Sequence, residues 1–90
     1  MKALRLETAF RKDLKRITKR GYDRAKLDAF AGLLRQQQPL APARRDHPLK
    51  GEGQHYRECH LEPDWLLIYR ITDEHVVLAR TGTLADLFGN

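Results

Sequence analysis

The chain has 90 residues, a single cysteine and a formal net charge of +5. That length holds one domain with a modest core and little room for a deep cofactor pocket, and the lone Cys59 excludes an internal disulfide and fits a reducing cytoplasm. Residues 1–10 lack the apolar stretch of a signal peptide, and the longest apolar run, residues 65–69, is strand-sized and far short of the roughly 20 residues of a membrane span.

Residues 3–6 predict a short strand. Thr8 can cap the helix that follows, in which Phe10, Leu14 and Ile17 form one apolar stripe and Arg11, Lys12, Lys15, Arg16, Lys19 and Arg20 cover the rest, until Gly21 ends it. Asp23 is the expected N-cap of a second helix whose buried stripe is Leu27, Phe30, Leu33 and Leu34. The turn between the helices is so short that they should be antiparallel neighbours, and Pro39 is expected to stop the second. Residues 39–54, with three prolines and two glycines, read as a loop carrying Arg44, Arg45, Asp46 and His47.

Three strands follow. In residues 55–61, Tyr56, Glu58 and His60 alternate with Arg57, Cys59 and Leu61, and Pro63 and Asp64 then turn the chain. Residues 65–71 are nearly all apolar, like a central strand buried on both faces. Thr72-Asp73-Glu74 is a tight connection to a strand over 76–81, which Thr81-Gly82-Thr83 breaks before a last helical turn over 84–88. The order β-α-α-β-β-β predicts an α+β fold, a single domain over residues 1–90 with a helical hairpin on one face of an antiparallel sheet.

Charge is divided unevenly along this layout. Residues 1–45 carry 13 Lys/Arg against 4 Asp/Glu, and residues 46–90 carry 4 against 8. A basic half attracts polyanions such as nucleic acid, although a solvated helical face would read the same way.

No Walker loop, glycine-rich phosphate cradle or nucleophile elbow is present. The polar residues that stand out are His47, His60, Asp64 and Arg80, placed on a loop, a strand end, a turn and a strand end, positions that converge readily at one edge of a small sheet. Such a set suits RNA cleavage by the RNA's own 2′-hydroxyl. Two groups titrating near neutrality can take the 2′-proton and protonate the departing 5′-oxygen, and an arginine fork matches the charge building on the phosphorus. Asp64 could orient a histidine, act as base, or simply be a good turn residue. Trp65 and Tyr56 could stack on unpaired bases, while Trp65 suits the core better than the stacking role. His47, His55, Cys59 and His60 match no zinc spacing, and Cys59 and His60 point to opposite faces of a strand, so no metal and no cofactor are expected.

The blocks Asp46-His47-Pro48-Leu49, Gly51, Tyr56-Arg57, His60-Leu61-Glu62-Pro63-Asp64-Trp65, Ile68-Tyr69, Arg80-Thr81-Gly82-Thr83 and Leu87-Phe88-Gly89 together resemble the YafQ branch of the RelE toxin superfamily, in order and in spacing. The resemblance implies a microbial RNase-like fold and a type II toxin. It implies a cytoplasmic, metal-independent endoribonuclease that cleaves mRNA in the ribosomal A site and leaves a cyclic phosphate, with a cognate antitoxin, the ribosome (16S rRNA) and mRNA as partners and no membrane. It places acid–base roles on His47, His60 and Asp64, phosphate stabilisation on Arg80, and RNA contact on Trp65 and Phe88; Arg11, Lys15, Lys19 and Arg20 would grip ribosomal RNA. The family pattern continues Arg-Thr-Gly-Thr-His, and here the fifth residue is Leu84, which cannot transfer a proton. Either His47 and His60 share the work, or Asp86 moves in, or activity is reduced. A ParE-type toxin that binds DNA gyrase, and a catalytically weakened homologue, are the alternatives.

Overall fold

A computed structural model describes residues 1–49 and 55–89. Strand β1 (Ala3–Leu6) leads into helices α1 (Thr8–Lys19) and α2 (Arg24–Arg35). A 3-10 turn (Pro42–Arg44) then precedes the two-residue strand β2 (His47–Pro48), strands β3 (Arg57–Glu62), β4 (Trp65–Ile71) and β5 (His75–Gly82), and the short helix α3 (Leu84–Phe88). The sheet has five strands in the order β1-β5-β4-β3-β2.

The sheet is mixed rather than wholly antiparallel. β1 runs parallel to β5, from Ala3 opposite His75 to Leu6 opposite Leu78, while the other three pairings are antiparallel. The helical hairpin supplies the crossover that a parallel pairing needs. β2 falls in the stretch expected as loop. Its two residues pair with Arg57 and Glu58 of β3, and two residues are too few to show alternation. Pro48 is tolerated there because an edge strand can spare an N–H.

Helix punctuation follows the sequence in part. Asp23 caps α2 by accepting from the Ala25 N–H at 3.0 Å. Gly21, at φ +84°, closes α1 in a left-handed turn in which the Tyr22 N–H reaches Ile17 O. Thr8 is not a cap; it is the first helical residue, and the capping position falls on Glu7, whose side chain makes no capping bond. α2 ends at Arg35, ahead of Pro39, in a turn where Gln37 adopts φ +56° and the Gln38 N–H returns to Leu33 O.

One core lies between the helices and the sheet. α1 contributes Phe10 and Ile17, α2 contributes Leu27, Phe30, Ala31 and Leu34, and the sheet contributes Cys59, Leu61, Trp65, Leu67, Tyr69, Val76 and Leu78. Leu33 was expected in this stripe but is 42% exposed. The set 27, 30, 31, 34 is the one that shares a helical face, so Ala31 takes the fourth place and Leu33 turns to solvent. Residues 65–69 are all buried, as a central strand requires.

Candidate active site

The register carries one row of residues across four strands. His47 of β2 lies opposite Glu58 of β3, Glu58 opposite Ile68 of β4, and Ile68 opposite Arg80 of β5. Cys59 and Leu61 enter the core, so their neighbours Glu58 and His60 sit on the sheet face away from the helices.

Glu58 is buried, and its Oε1 lies 3.8 Å from Nε2 of His47 and 3.9 Å from Nε2 of His60. Each imidazole is oriented by a main-chain carbonyl. Nδ1 of His47 is 3.1 Å from Pro48 O, and Nδ1 of His60 is 3.2 Å from Pro63 O. A carbonyl can only accept, so Nδ1 carries the proton in each neutral ring and Nε2 is left as the basic nitrogen, turned toward the carboxylate. The carboxylate thus stands within ion-pair distance of both rings, an arrangement suited to setting one imidazole as acid beside another as base.

The loop before His47 is fixed from the opposite side of the sheet. Asp46 accepts from Arg57 Nη2 at 3.1 Å and from the Tyr69 hydroxyl. Burial, and then the bond to Asp46, push the Tyr69 hydroxyl far above its ordinary value, so it remains a donor.

Arg80 stands two strands from Glu58, about 10 Å at roughly 4.8 Å per strand, with Ile68 as the buried floor between them. Its fork is held by Asp13 of α1, 1% exposed, through Nε at 2.6 Å and Nη2 at 3.2 Å. Asp13 also accepts from Arg16 Nη2 at 2.7 Å and from the Thr81 N–H at 3.1 Å. β1 reaches along β5 only as far as Leu78, so Asp13 satisfies the edge N–H that β1 leaves open.

The remaining expected residues fall into two groups. Asp64 accepts from the Leu84 N–H at 3.3 Å and so secures the start of α3. Leu84 and Phe88 are exposed at 44% and 47%, one helical turn apart. Arg11, Lys15 and Lys19 are exposed on α1 with no ion-pair partner among the described residues. Arg20 is engaged: its two terminal nitrogens meet the two oxygens of Asp86 at 2.7 and 3.0 Å, so Asp86 anchors α3 to α1 rather than joining the histidines.

One stacking expectation is corrected. Trp65 is 1% exposed; its Nε1 donates to Thr81 Oγ1 at 2.9 Å and its ring meets Tyr22 edge-on, leaving no face for a base. Tyr56 has the Arg70 guanidinium over its ring, 5.8 Å from the centroid.

Asp86 bears on acid stability. The bond from Arg20, then that from the Thr83 N–H, hold its carboxyl well below the usual carboxylate range. A depressed folded value contributes stability fully above the unfolded value of about 3.9 and loses it as pH falls through the folded value. Urea midpoints measured downward from pH 5 should therefore fall more steeply for the wild type than for Asp86→Asn; equal slopes would contradict the assignment. Gly82 fits the same arrangement, because a Cβ there would lie 2.9 Å from the Asp86 carboxylate.

Comparison with known proteins supports one family. A family model described as the bacterial toxin of a type II toxin–antitoxin system, YafQ, matches residues 2–89. The mRNA interferase toxin YafQ of Escherichia coli K12 is 46% identical over 81 residues, 89% of this chain and 88% of that protein. The crystal structure of YafQ from E. coli BL21(DE3) superposes with a TM-score of 0.91 at 41% identity, covering 99% of this chain and all of that one. The toxin in the E. coli DinJ–YafQ toxin–antitoxin complex matches with a TM-score of 0.88 at 42% identity over 98% of each chain.

Proposed function

The chain belongs to the YafQ family of toxins of bacterial type II toxin–antitoxin systems, and we propose that it is an endoribonuclease that cuts mRNA in the A site of the ribosome and is silenced by a cognate antitoxin. The observation that carries this reading is the pair of histidines on one buried carboxylate, with an arginine further along the same cross-strand row.

His47 and His60 divide the proton transfers. One, unprotonated at Nε2, takes the proton of the 2′-hydroxyl as its oxygen attacks phosphorus; the other, protonated, delivers a proton to the 5′-oxygen as the P–O5′ bond breaks. Glu58 lies within ion-pair reach of both rings and so stands beside whichever imidazole carries the extra proton. Arg80 faces the charge that builds on the non-bridging oxygens. Asp64 acts through α3, which presents Phe88 to an unpaired base. Arg11, Lys15 and Lys19 offer charge to ribosomal RNA phosphates. With Leu84 at the family's histidine position, proton transfer rests on the His47–Glu58–His60 unit. The chemistry draws acid, base and charge stabilisation from side chains and requires no metal. The protein acts as a single domain in the cytoplasm, where translating ribosomes are; no helix among the described residues is long and apolar enough to cross a membrane.

The chemistry of the cut ends tests this reading. Attack by the 2′-hydroxyl leaves a 2′,3′-cyclic phosphate and a 5′-hydroxyl, so downstream fragments should be phosphorylated by polynucleotide kinase without prior phosphatase treatment. Fragments bearing 5′-phosphates would mean that water is the nucleophile and would overturn the assignment of roles. Growth arrest without any cut would point to the gyrase-binding alternative.

A further inference from the structure

We propose that the cavity beside His60 is a subsite for one unpaired nucleotide flanking the scissile phosphate, with Arg45 as its phosphate-binding residue. The inference rests on the endoribonuclease reading for its biological setting and on geometry for its chemistry. The cavity has a volume of about 350 Å³ and is lined by Ala43, Arg44, Arg45, His60, Glu62 and Pro63. That volume lies within the range of small-ligand sites, about 300–1,000 Å³. Because His60 forms one wall, a nucleotide seated there adjoins the proton-transfer unit.

The walls differ in chemistry. Ala43 and Pro63 offer apolar surface to a base. Arg44 is held by donating from Nη1 to Leu61 O at 2.8 Å. Among the described residues Glu62 is the one carboxylate on the lining, and Lys26 Nζ sits 3.2 Å from it, so its charge is offset. Arg45 has no side-chain partner among the described residues. It also adopts the left-handed conformation, φ 49° and ψ 42°, closing the 3-10 turn with its N–H on Pro42 O at 3.0 Å. That conformation favours glycine or asparagine. The turn by itself therefore gives no reason for arginine, whereas a forked cation beside a phosphate does.

The same conformation separates function from folding, because Arg45→Gly relieves the backbone while removing the cation. Binding of a short 2′-O-methylated single-stranded oligoribonucleotide, which cannot be cleaved, is measured by fluorescence anisotropy at several salt concentrations. Arg45→Gly should weaken binding roughly tenfold and lower the slope of log K against log salt by about 0.7, the value for one phosphate on a single strand. Its thermal midpoint should match or exceed the wild type's. Arg45→Lys should restore the slope. An Arg45→Gly variant with wild-type affinity and slope, or a wild type that does not bind the oligonucleotide, overturns the subsite. Wild-type cleavage of translated mRNA is scored separately: cleavage with an Arg45-independent slope removes the subsite and keeps the enzyme, and an Arg45-dependent slope without cleavage does the reverse.

Discussion

His60→Ala should lower the single-turnover rate of mRNA cleavage by roughly 10²–10⁴-fold, the range for loss of a general acid or base, while leaving the fold intact. The ring lies on the sheet face away from the helices, and its Nδ1 meets only the Pro63 carbonyl. Its side chain is 17% exposed, so some packing is lost with it, but none from the core between the helices and the sheet. Glu58 would remain buried with His47 as its one imidazole partner, so the unit could still hold a proton but could no longer present an acid and a base together. His47→Ala should damage the same unit, and the double variant should be scarcely worse than either single one, as residues acting together are strongly non-additive. A His60→Ala enzyme with unchanged rate would remove the pair from the mechanism.

Asp13→Ala should be the most damaging change far from the histidines. It strips acceptors from Arg80, Arg16 and the Thr81 N–H at once. The two guanidinium side chains are 35% and 39% exposed and can be rehydrated by water, so their share of the loss is discounted. The Thr81 N–H is buried, and stranding it costs about 1–3 kcal/mol. With the void left at a buried helix position the total should reach about 2–4 kcal/mol, a fall in Tm of roughly 10 °C or more for a domain of this size. Arg80 would also lose the carboxylate that aims its fork. Asp13→Asn retains the shape and one acceptor, so it should keep much of the stability while cleavage still falls. Full stability in Asp13→Ala, by thermal or urea denaturation, would show that the network contributes little.

Much of this was legible in the sequence, for identifiable reasons. Long periodic segments declared themselves: the stripe Phe10–Leu14–Ile17, the Asp23 cap and the apolar run of β4 stand as expected, because period and capping chemistry are local. The parallel pairing of β1 with β5 joins residues some seventy positions apart and leaves no local mark. Glu58 went unassigned among the site residues, although its alternation with His60 placed both on one strand face; its partner His47 arrives from a two-residue strand that periodicity cannot reveal. Asp13 carried a signal as well: it stands between Phe10 and Ile17 on the apolar stripe of an otherwise basic helix, where a carboxylate must be buried with partners. The resemblance implied RNA contact for Trp65, but the fold turns its ring toward Tyr22 and gives its N–H to Thr81, whereas Phe88 on α3 is exposed.

The central claim is that the His47–Glu58–His60 unit cleaves translated mRNA although Leu84 stands where a histidine was expected. Primer extension on a defined mRNA in a reconstituted translation system, with wild type and His60→Ala side by side, tests it most directly. The account predicts cuts confined to translated codons with the wild type and their loss with the variant. Growth arrest on expression without cuts, or equal cutting by both proteins, would contradict it.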